Sequence, residues 1–325
     1  EFILIGTEHD GRNKMNSIPY FDGHCDTISL CEKEGRSLRE NAGHLDLMRL
    51  KAYSGAAQFF AMYHDLADAP ADGMFAECRR QQAVFAREMA KNADIVTQCR
   101  TAAEVKRANA EGKIAALLSC EGSELLNCDP ANLDWAKKVG VKAINLTWNH
   151  ANLIAGSNLH EPQRGLNDLG RAFVRKAQRC GILMDVSHCS DAAFWDLMEI
   201  TAAPIIASHS NSRSIRRHTR NITDEMFRAI MQTGGVVGIN YWVEFVAPGD
   251  DPAMEDVVAH IDHFMELGGA KHVGLGGDFD GCDRLAGGMR GLEDVPLLWE
   301  ALSKRGYSDA LLEDIFYNNF LRVIG

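Results

Sequence analysis

The sequence predicts an α/β fold, a (β/α)8 barrel of the TIM type, on three observations. Eight short apolar strand candidates alternate with longer amphipathic stretches along the 325 residues. The strand candidates are apolar enough to be buried on both faces, as in a parallel sheet covered by helices. No glycine-rich dinucleotide turn follows the first strand, which disfavours an open doubly wound sheet. A chain of this length commonly forms one such barrel, although two medium domains would also fit.

The elements follow a regular order along the chain. The strand candidates are IPYFDGH, GAAQFFAMY, IAALLSCEG, VKAINLTWN, GILMDVSH, APIIASHS, GGVVGINYW and KHVGLGGDFDG. Helical periodicity predicts helices between several of them, over residues 74–92, 166–179, 191–200, 223–233 and 254–267. Strand followed by helix, repeated in this way, is the pattern of parallel βαβ units.

Composition excludes several classes of protein. An apolar content of 46% and a charged content of 24% are those of a soluble globular protein with a large core. The net charge of −11, without a basic block, argues against a nucleic-acid partner. No apolar run approaches the roughly 18 residues of a membrane span, so we expect no membrane partner.

The cysteines and the start of the chain favour a cytoplasmic location. The opening EFILIGTEHDGRNK lacks the features of a signal peptide. We therefore predict a leader or upstream remnant over residues 1–15, with Met15 as a candidate natural start, and a single barrel catalytic domain over residues 16–325. The nine cysteines include no CxxC pair, which favours reduced thiols. Cys25, Cys120 and Cys189 each neighbour a candidate ligand and are predicted to face away, into the core.

Polar side chains cluster where the strand candidates end. In chain order they are His24 and Asp26, Glu121, His150, His188, His209, and Asp278 with Asp280. His24 and Asp26 stand two residues apart and so share a face of the strand. Barrel enzymes carry their active sites at the C-terminal ends of the strands, so we expect these side chains to meet there.

These residue types indicate a metal centre. Imidazole and carboxylate donors, with no thiolate facing in, suit zinc or a similar divalent ion. One catalytic zinc takes three protein ligands, so His24, Asp26, Glu121, His188 and His209 are too many for one ion. They are about right for two ions that share a carboxylate, and we predict Glu121 as the bridge. Two such ions can hold a bridging water, lower its pKa and polarise a carbonyl.

The motifs FDGHCDT, LLSCEG, LMDVSHCS, IASHSNSRSIRRHTRNITDEM and GLGGDFDG together resemble the membrane dipeptidase (renal dipeptidase) family of the amidohydrolase superfamily. The resemblance runs from about Tyr20 to the C-terminal NNFLRVIG. It implies a (β/α)8 barrel with two Zn²⁺ per chain that hydrolyses dipeptides, including those with a D-residue at the C-terminal position.

The resemblance also implies roles for particular residues. His24 and Asp26 would bind one zinc, His188 and His209 the other, and Glu121 would bridge them. Asp278 would handle protons, and Arg220 would bind the substrate carboxylate.

One segment departs from the family pattern. The family often has a histidine after the fourth strand that hydrogen-bonds the scissile carbonyl, and in NLTWNHAN the residue in its place is Trp148. His150, two residues further on, would reach the same side on an extended backbone, and we predict it as the oxyanion donor. His260 and His263 stand three apart on a predicted helix, where we expect a solvated face rather than a metal site.

The sequence thus predicts a cytoplasmic zinc dipeptidase that cleaves free dipeptides with a metal-bridged hydroxide, and it leaves a homo-oligomer open. Two alternatives remain. One is another binuclear amidohydrolase, such as an N-acyl-D-amino acid deacylase or a lactonase. The other is a metal-binding protein without turnover.

Overall fold

A closed ring of parallel strands forms the centre of the protein. The computed structural model describes residues 15–325. Each strand of the ring pairs in parallel with both neighbours, and the pairing of β2 with β4 closes it. The strands are β1 Pro19–Asp22, β2 Gly55–Met62, β3 Val96–Gln98, β4 Ile114–Cys120, β5 Val141–Asn145, β6 Leu183–Asp185, β7 Ile205–Ala207, β8 Val236–Ile239 and β9 Val273–Leu275. The predicted (β/α)8 barrel is confirmed.

The short strand β3 is the one strand of the described residues that the sequence did not predict. It pairs only with β4, from Val96 opposite Ile114 to Gln98 opposite Ala116. The other strands, β1, β2 and β4 to β9, are the eight predicted ones, and they form the ring.

Helices cover the ring and agree closely with the predicted positions. They are α1 Thr27–Glu34, α2 Leu47–Leu50, α3 Met74–Lys91, α4 Ala102–Ala110, α5 Leu133–Val139, α6 Asp168–Arg179, α7 Asp191–Ile200, α8 Asp224–Gln232, α9 Val243–Val246, α10 Met254–Glu266, α11 Val295–Lys304, α12 Asp309–Glu313 and α13 Asn319–Val323. Helix α6 begins two residues later than predicted because the Asn167 side chain caps it, accepting a hydrogen bond from the Gly170 amide.

Apolar side chains close the barrel at the end where the strands begin. A site inside the barrel can therefore open only at the end where the strands finish. Phe21 and Phe59 point into the ring from β1 and β2. Phe320 of α13 packs against both, with ring centroids 5.6 and 6.4 Å away. These rings belong to a buried cluster that also contains residues of β4 to β8. The C-terminal helix therefore acts as a plug beneath the site.

Two sequence expectations can be compared with the described residues. All nine cysteines are free, and Cys25, Cys120 and Cys189 lie buried in the core as predicted. Residues 1–14, most of the predicted leader, lie outside the described range. Among residues 15–325, no helix has the length and the apolar character needed to cross a membrane.

Candidate active site

The five predicted metal ligands meet at the C-terminal end of the barrel, around the carboxylate of Glu121. Its Oε1 atom lies 2.9 Å from His188 Nε2, 3.4 Å from His209 Nε2 and 3.5 Å from His24 Nε2. Asp26 Oδ2 lies 3.4 Å from His24 Nε2. All five residues are buried. The ends of β1, β4, β6 and β7 thus bring together residues that are up to 185 positions apart in the sequence.

The donor atoms fall into overlapping groups, each compact enough for one ion. Within each group the ligand atoms lie within 4.8 Å of one another. The groups are His24, Asp26 and Glu121; Glu121, His188 and His209; and His24, His209 and Asp278. The first two groups share Glu121 and divide the other four predicted ligands between them. Buried nitrogen and oxygen donors of this kind fit divalent metal ions.

The electrostatics of the cluster act in opposite directions on its histidines. Burial alone would lower the pKa of His24, but the carboxylates of Glu121, Asp26 and Asp278 outweigh it and raise the pKa to about 10. Burial lowers the pKa of His188 and His209, helped by Arg220 and His24. Both rings are therefore held neutral, the form that offers a lone pair to a metal.

The backbone holds two of the site residues in a rarely used conformation. His188 has φ +73° and Asp278 has φ +57°, in the left-handed region that side chains with a Cβ seldom occupy. Such conformations persist only where the surrounding structure imposes them. Here the loops after β6 and β9 turn sharply enough to aim both side chains into the centre.

Two buried aspartates that sequence reasoning missed brace these loops. Asp22 accepts hydrogen bonds from the amides of His24 and Gly277, at 2.9 and 2.7 Å. Asp185 accepts from the amides of Ser187 and Ser208, each at 3.0 Å. Each carboxylate therefore ties together two loops that carry site residues. The sequence does contain a signal for these two aspartates, because one stands two residues before His24 and the other three residues before His188.

Polar neighbours orient the ligand side chains. Asn149 Oδ1 lies 2.8 Å from His188 Nδ1 and Ser208 Oγ lies 2.7 Å from His209 Nδ1, which directs each Nε2 atom toward the centre. Asn240 Nδ2 donates to Asp278 Oδ2 over 3.0 Å. No spacing in the sequence marks Asn149 or Asn240, because each acts across strands.

Arg220 is buried beside the cluster, and some of its hydrogen-bond donors have no partner in the described part of the chain. It is 4% exposed, and its guanidinium carbon lies 5.1 Å from the centre of the Phe245 ring. Nη2 lies 3.0 Å from His188 Nε2, whereas Nε and Nη1 have no hydrogen-bond partner among the described residues. Burial lowers the pKa of this arginine, and neighbouring carboxylates oppose that shift. A buried guanidinium with unused donors can pair with a carboxylate.

The structure does not place His150 against the cluster. Strand β5 ends at Asn145, and the chain then bends, so the extended backbone on which the prediction depended is absent. The His150 ring instead lies against Asp65, with Nε2 3.1 Å from Asp65 Oδ1. Trp148 and Asn149, rather than His150, line the cavity above the ligands. The position therefore does not support an oxyanion role for His150.

The expected solvated face at His260 is wrong. Its side chain is fully buried: Nδ1 accepts from the Ser212 amide at 3.1 Å and Nε2 lies 2.8 Å from the Val246 carbonyl. Because its partners come from other elements, the helical pattern alone gave no sign of this role. His263 is partly exposed and lies 2.8 Å from Asp224 Oδ1. Neither histidine belongs to a candidate metal group among the described residues.

A cavity of about 720 Å³ opens above the ligands. Its lining includes Glu121, His188, Arg220 and Asp278, so ligands, arginine and acid face one space. This volume falls within the range of small-molecule sites.

The fold and the site define a metal-dependent hydrolase of the TIM-barrel type. The chain belongs to the membrane dipeptidase family (peptidase family M19), whose family model matches residues 10–325. The dipeptidase tcpJ of Claviceps purpurea (strain 20.1) is 31% identical over 98% of this chain and 76% of its own length. The uncharacterized dipeptidase C3A11.10c of Schizosaccharomyces pombe is 28% identical over 95% of this chain and 81% of its own.

A solved structure shows the same fold. A metallo peptidase from Rhodobacter sphaeroides, liganded with a phosphinate mimic of the dipeptide L-Ala-D-Ala, superposes with a TM-score of 0.85. The two chains are 26% identical, and the match covers 95% of this chain and 99% of the other. The protein is therefore a metallo-dipeptidase, an enzyme that hydrolyses peptide bonds.

Proposed function

We propose that this enzyme is a binuclear zinc dipeptidase that cleaves free dipeptides, including those with a C-terminal D-residue. The observation that carries the proposal is the pair of buried donor groups that share Glu121. His24 and Asp26 would hold one ion, His188 and His209 the other, with Glu121 between them. Nitrogen and oxygen donors without a thiolate suit zinc.

Arg220 supports a substrate with a free carboxylate. Arg220 lines the same cavity as the candidate ligands, and its buried Nε and Nη1 atoms have no hydrogen-bond partner among the described residues. An unpaired buried charge is costly, and a substrate carboxylate would pair with the guanidinium. The Rhodobacter sphaeroides relative, liganded with its L-Ala-D-Ala mimic, supports a place for L,D-dipeptides among the substrates.

Asp278 is our candidate for proton transfer. Its Oδ1 atom lies 3.8 Å from His24 Nε2, beside the cluster, and burial raises its pKa although His24 opposes the shift. A carboxyl group with a raised pKa can take a proton from the attacking water and return it to the leaving amine. When bound, the ions would activate that water and polarise the scissile carbonyl.

The proposal is tested by comparing three substrates with zinc-loaded enzyme. These are L-Ala-L-Ala, L-Ala-D-Ala and N-acetyl-L-Ala-D-Ala, with amine release as the readout. We expect cleavage of both free dipeptides and little cleavage of the acylated one. Preference for the acylated compound would indicate a deacylase instead. Zinc binding without turnover of any of the three would contradict the proposal.

A further inference from the structure

We propose that this dipeptidase prefers substrates whose N-terminal residue is basic, arginine or lysine, and that Tyr63, Trp148, Asp65 and Asp68 form the surface that selects it. The inference rests on the proposed function and concerns the part of the cavity away from Arg220. Three features carry it: the position of two aromatic pairs, the way one pair is anchored, and the charge around it.

Two aromatic pairs line opposite sides of the cavity. The rings of Tyr63 and Trp148, which follow β2 and β5, have centroids 4.7 Å apart. The rings of Trp242 and Phe245, which follow β8, are 4.5 Å apart. In the closed order of the ring, β8 lies across the barrel from β4, the strand between β2 and β5. The two pairs therefore face each other across the ligand cluster.

Arg220 fixes which pair meets which end of a dipeptide. It packs on the Phe245 ring, so a carboxylate bound to its free donors lies beside the Trp242–Phe245 pair. With the scissile carbonyl at the ligand cluster, the N-terminal residue must extend to the far side. Its side chain would then meet Tyr63 and Trp148.

Hydrogen bonds to the backbone of Tyr63 and Trp148 hold this aromatic surface in place. The Tyr63 amide donates to Gln81 Oε1 over 2.8 Å, and Gln81 Nε2 donates back to the Tyr63 carbonyl over 2.6 Å. The Trp148 amide donates to the buried Glu124 Oε1 over 3.1 Å. A preorganised aromatic surface of this kind can stack on a flat guanidinium or an aliphatic stem without being ordered on binding.

Carboxylates stand at the edge of this surface. Asp65 and Asp68 both line the cavity within five residues of Tyr63. Asp65 is anchored by the Ala67 amide at 2.8 Å and by His150, whereas the Asp68 carboxylate has no hydrogen-bond or ion-pair partner among residues 15–325. Lys33 is the one lysine of the described lining. Bound metal ions would neutralise the carboxylates at the centre but not these outer ones.

Together, an aromatic surface and outlying carboxylates match a long side chain with a cation at its tip. An acidic N-terminal side chain would meet like charges, and a small one would leave the surface unfilled. Each exposed charge contact and each cation–π contact contributes modestly, so several must act together to give a clear preference.

The test uses Arg-Ala, Leu-Ala and Glu-Ala, each as the L- and the D-alanine isomer, with zinc-loaded enzyme. We expect kcat/KM for Arg-Ala to exceed that for Glu-Ala at least about tenfold, and the gap to shrink in high salt. The double variant Asp65→Asn/Asp68→Asn should lower the Arg-Ala to Leu-Ala ratio roughly five- to tenfold. The variant Asp72→Asn, a nearby aspartate outside the cavity lining, should leave this ratio unchanged.

The outcomes separate this inference from the proposed function. Cleavage of none of the three peptides overturns the proposed function, and the inference with it. Cleavage of all three with values of kcat/KM within about twofold overturns the inference alone. The same holds if the Asp65→Asn/Asp68→Asn variant keeps the wild-type ratio of kcat/KM for Arg-Ala to that for Leu-Ala.

Discussion

Replacement of Arg220 by lysine tests how the enzyme recognises its substrate. The variant Arg220→Lys keeps the positive charge but replaces a planar fork by a single ammonium group. In the structure Arg220 is 4% exposed, and two of its donor atoms, Nε and Nη1, have no partner among the described residues. Because a substrate carboxylate would pair with this guanidinium, the variant should weaken ground-state binding of the substrate most.

The size of the effect follows from the number of hydrogen bonds lost. A hydrogen bond to a charged group contributes about 1.5–3 kcal/mol. A lysine at this position can supply roughly one of the two bonds, so the loss is about 1.5–3 kcal/mol. At 1.4 kcal/mol per factor of ten, KM for a dipeptide should rise roughly 10- to 150-fold.

The assay compares a free dipeptide with the corresponding dipeptide amide, which lacks the carboxylate. We expect Arg220→Lys to raise KM for the dipeptide and to change that for the amide little. Arg217→Lys is the matched control, because Arg217 lies exposed in the same loop. Equal losses for both substrates would refute the carboxylate role of Arg220.

Three further variants test the rest of the site. Asp278→Asn should lower kcat by about 10²- to 10⁴-fold with metal content near wild type, and loss of metal would show a ligand instead. Asn149→Ala should weaken one of two zinc sites about 10- to 100-fold in chelator competition, because His188 loses its orienting partner, whereas unchanged affinity would exclude that role. Burial raises the pKa of Glu124 to about 7. The pKa of Glu124 is therefore higher in the folded than in the unfolded chain. As the pH rises from about 4.5 to 7, Glu124 ionises in the unfolded chain but stays protonated in the folded one, which lowers the free energy of unfolding. Chemical denaturation should show that the free energy of unfolding of Glu124→Gln rises relative to that of the wild type by up to about 3 kcal/mol over that pH range. Parallel plots of this free energy against pH for the two proteins would contradict the prediction.

The fold, and the meeting of the candidate ligands at one end of it, could be predicted because both depend on local sequence patterns. Apolar strands and helical periodicity are properties of short segments, and α7 matches its predicted bounds of Asp191–Ile200. The candidate ligands could be chosen because a barrel gathers strand ends at one place, so that His24, Glu121, His188 and His209 were expected to meet without knowledge of distances. The three-residue strand β3 was too short to give a pattern.

The rest of the site depends on contacts between distant segments. The prediction for His150 assumed an extended backbone, whereas the chain bends after Asn145, which is a property of the folded loop. His260 meets Ser212 and Val246, 48 and 14 residues away, and these contacts bury it. The pairing of Asn149 with His188 likewise spans 39 residues. Single-sequence reasoning finds the residues that end a strand but not those that reach across to support them.

The most direct test of the account is a zinc titration of the metal-stripped enzyme. Calorimetry and elemental analysis would count the bound ions, while hydrolysis of a free dipeptide is followed on the same samples. If two ions share Glu121, full activity is reached only at about two zinc ions per chain, and His188→Ala or His209→Ala lowers both occupancy and rate. Full activity at one ion per chain, or hydrolysis that survives complete removal of the metal, would contradict the binuclear centre.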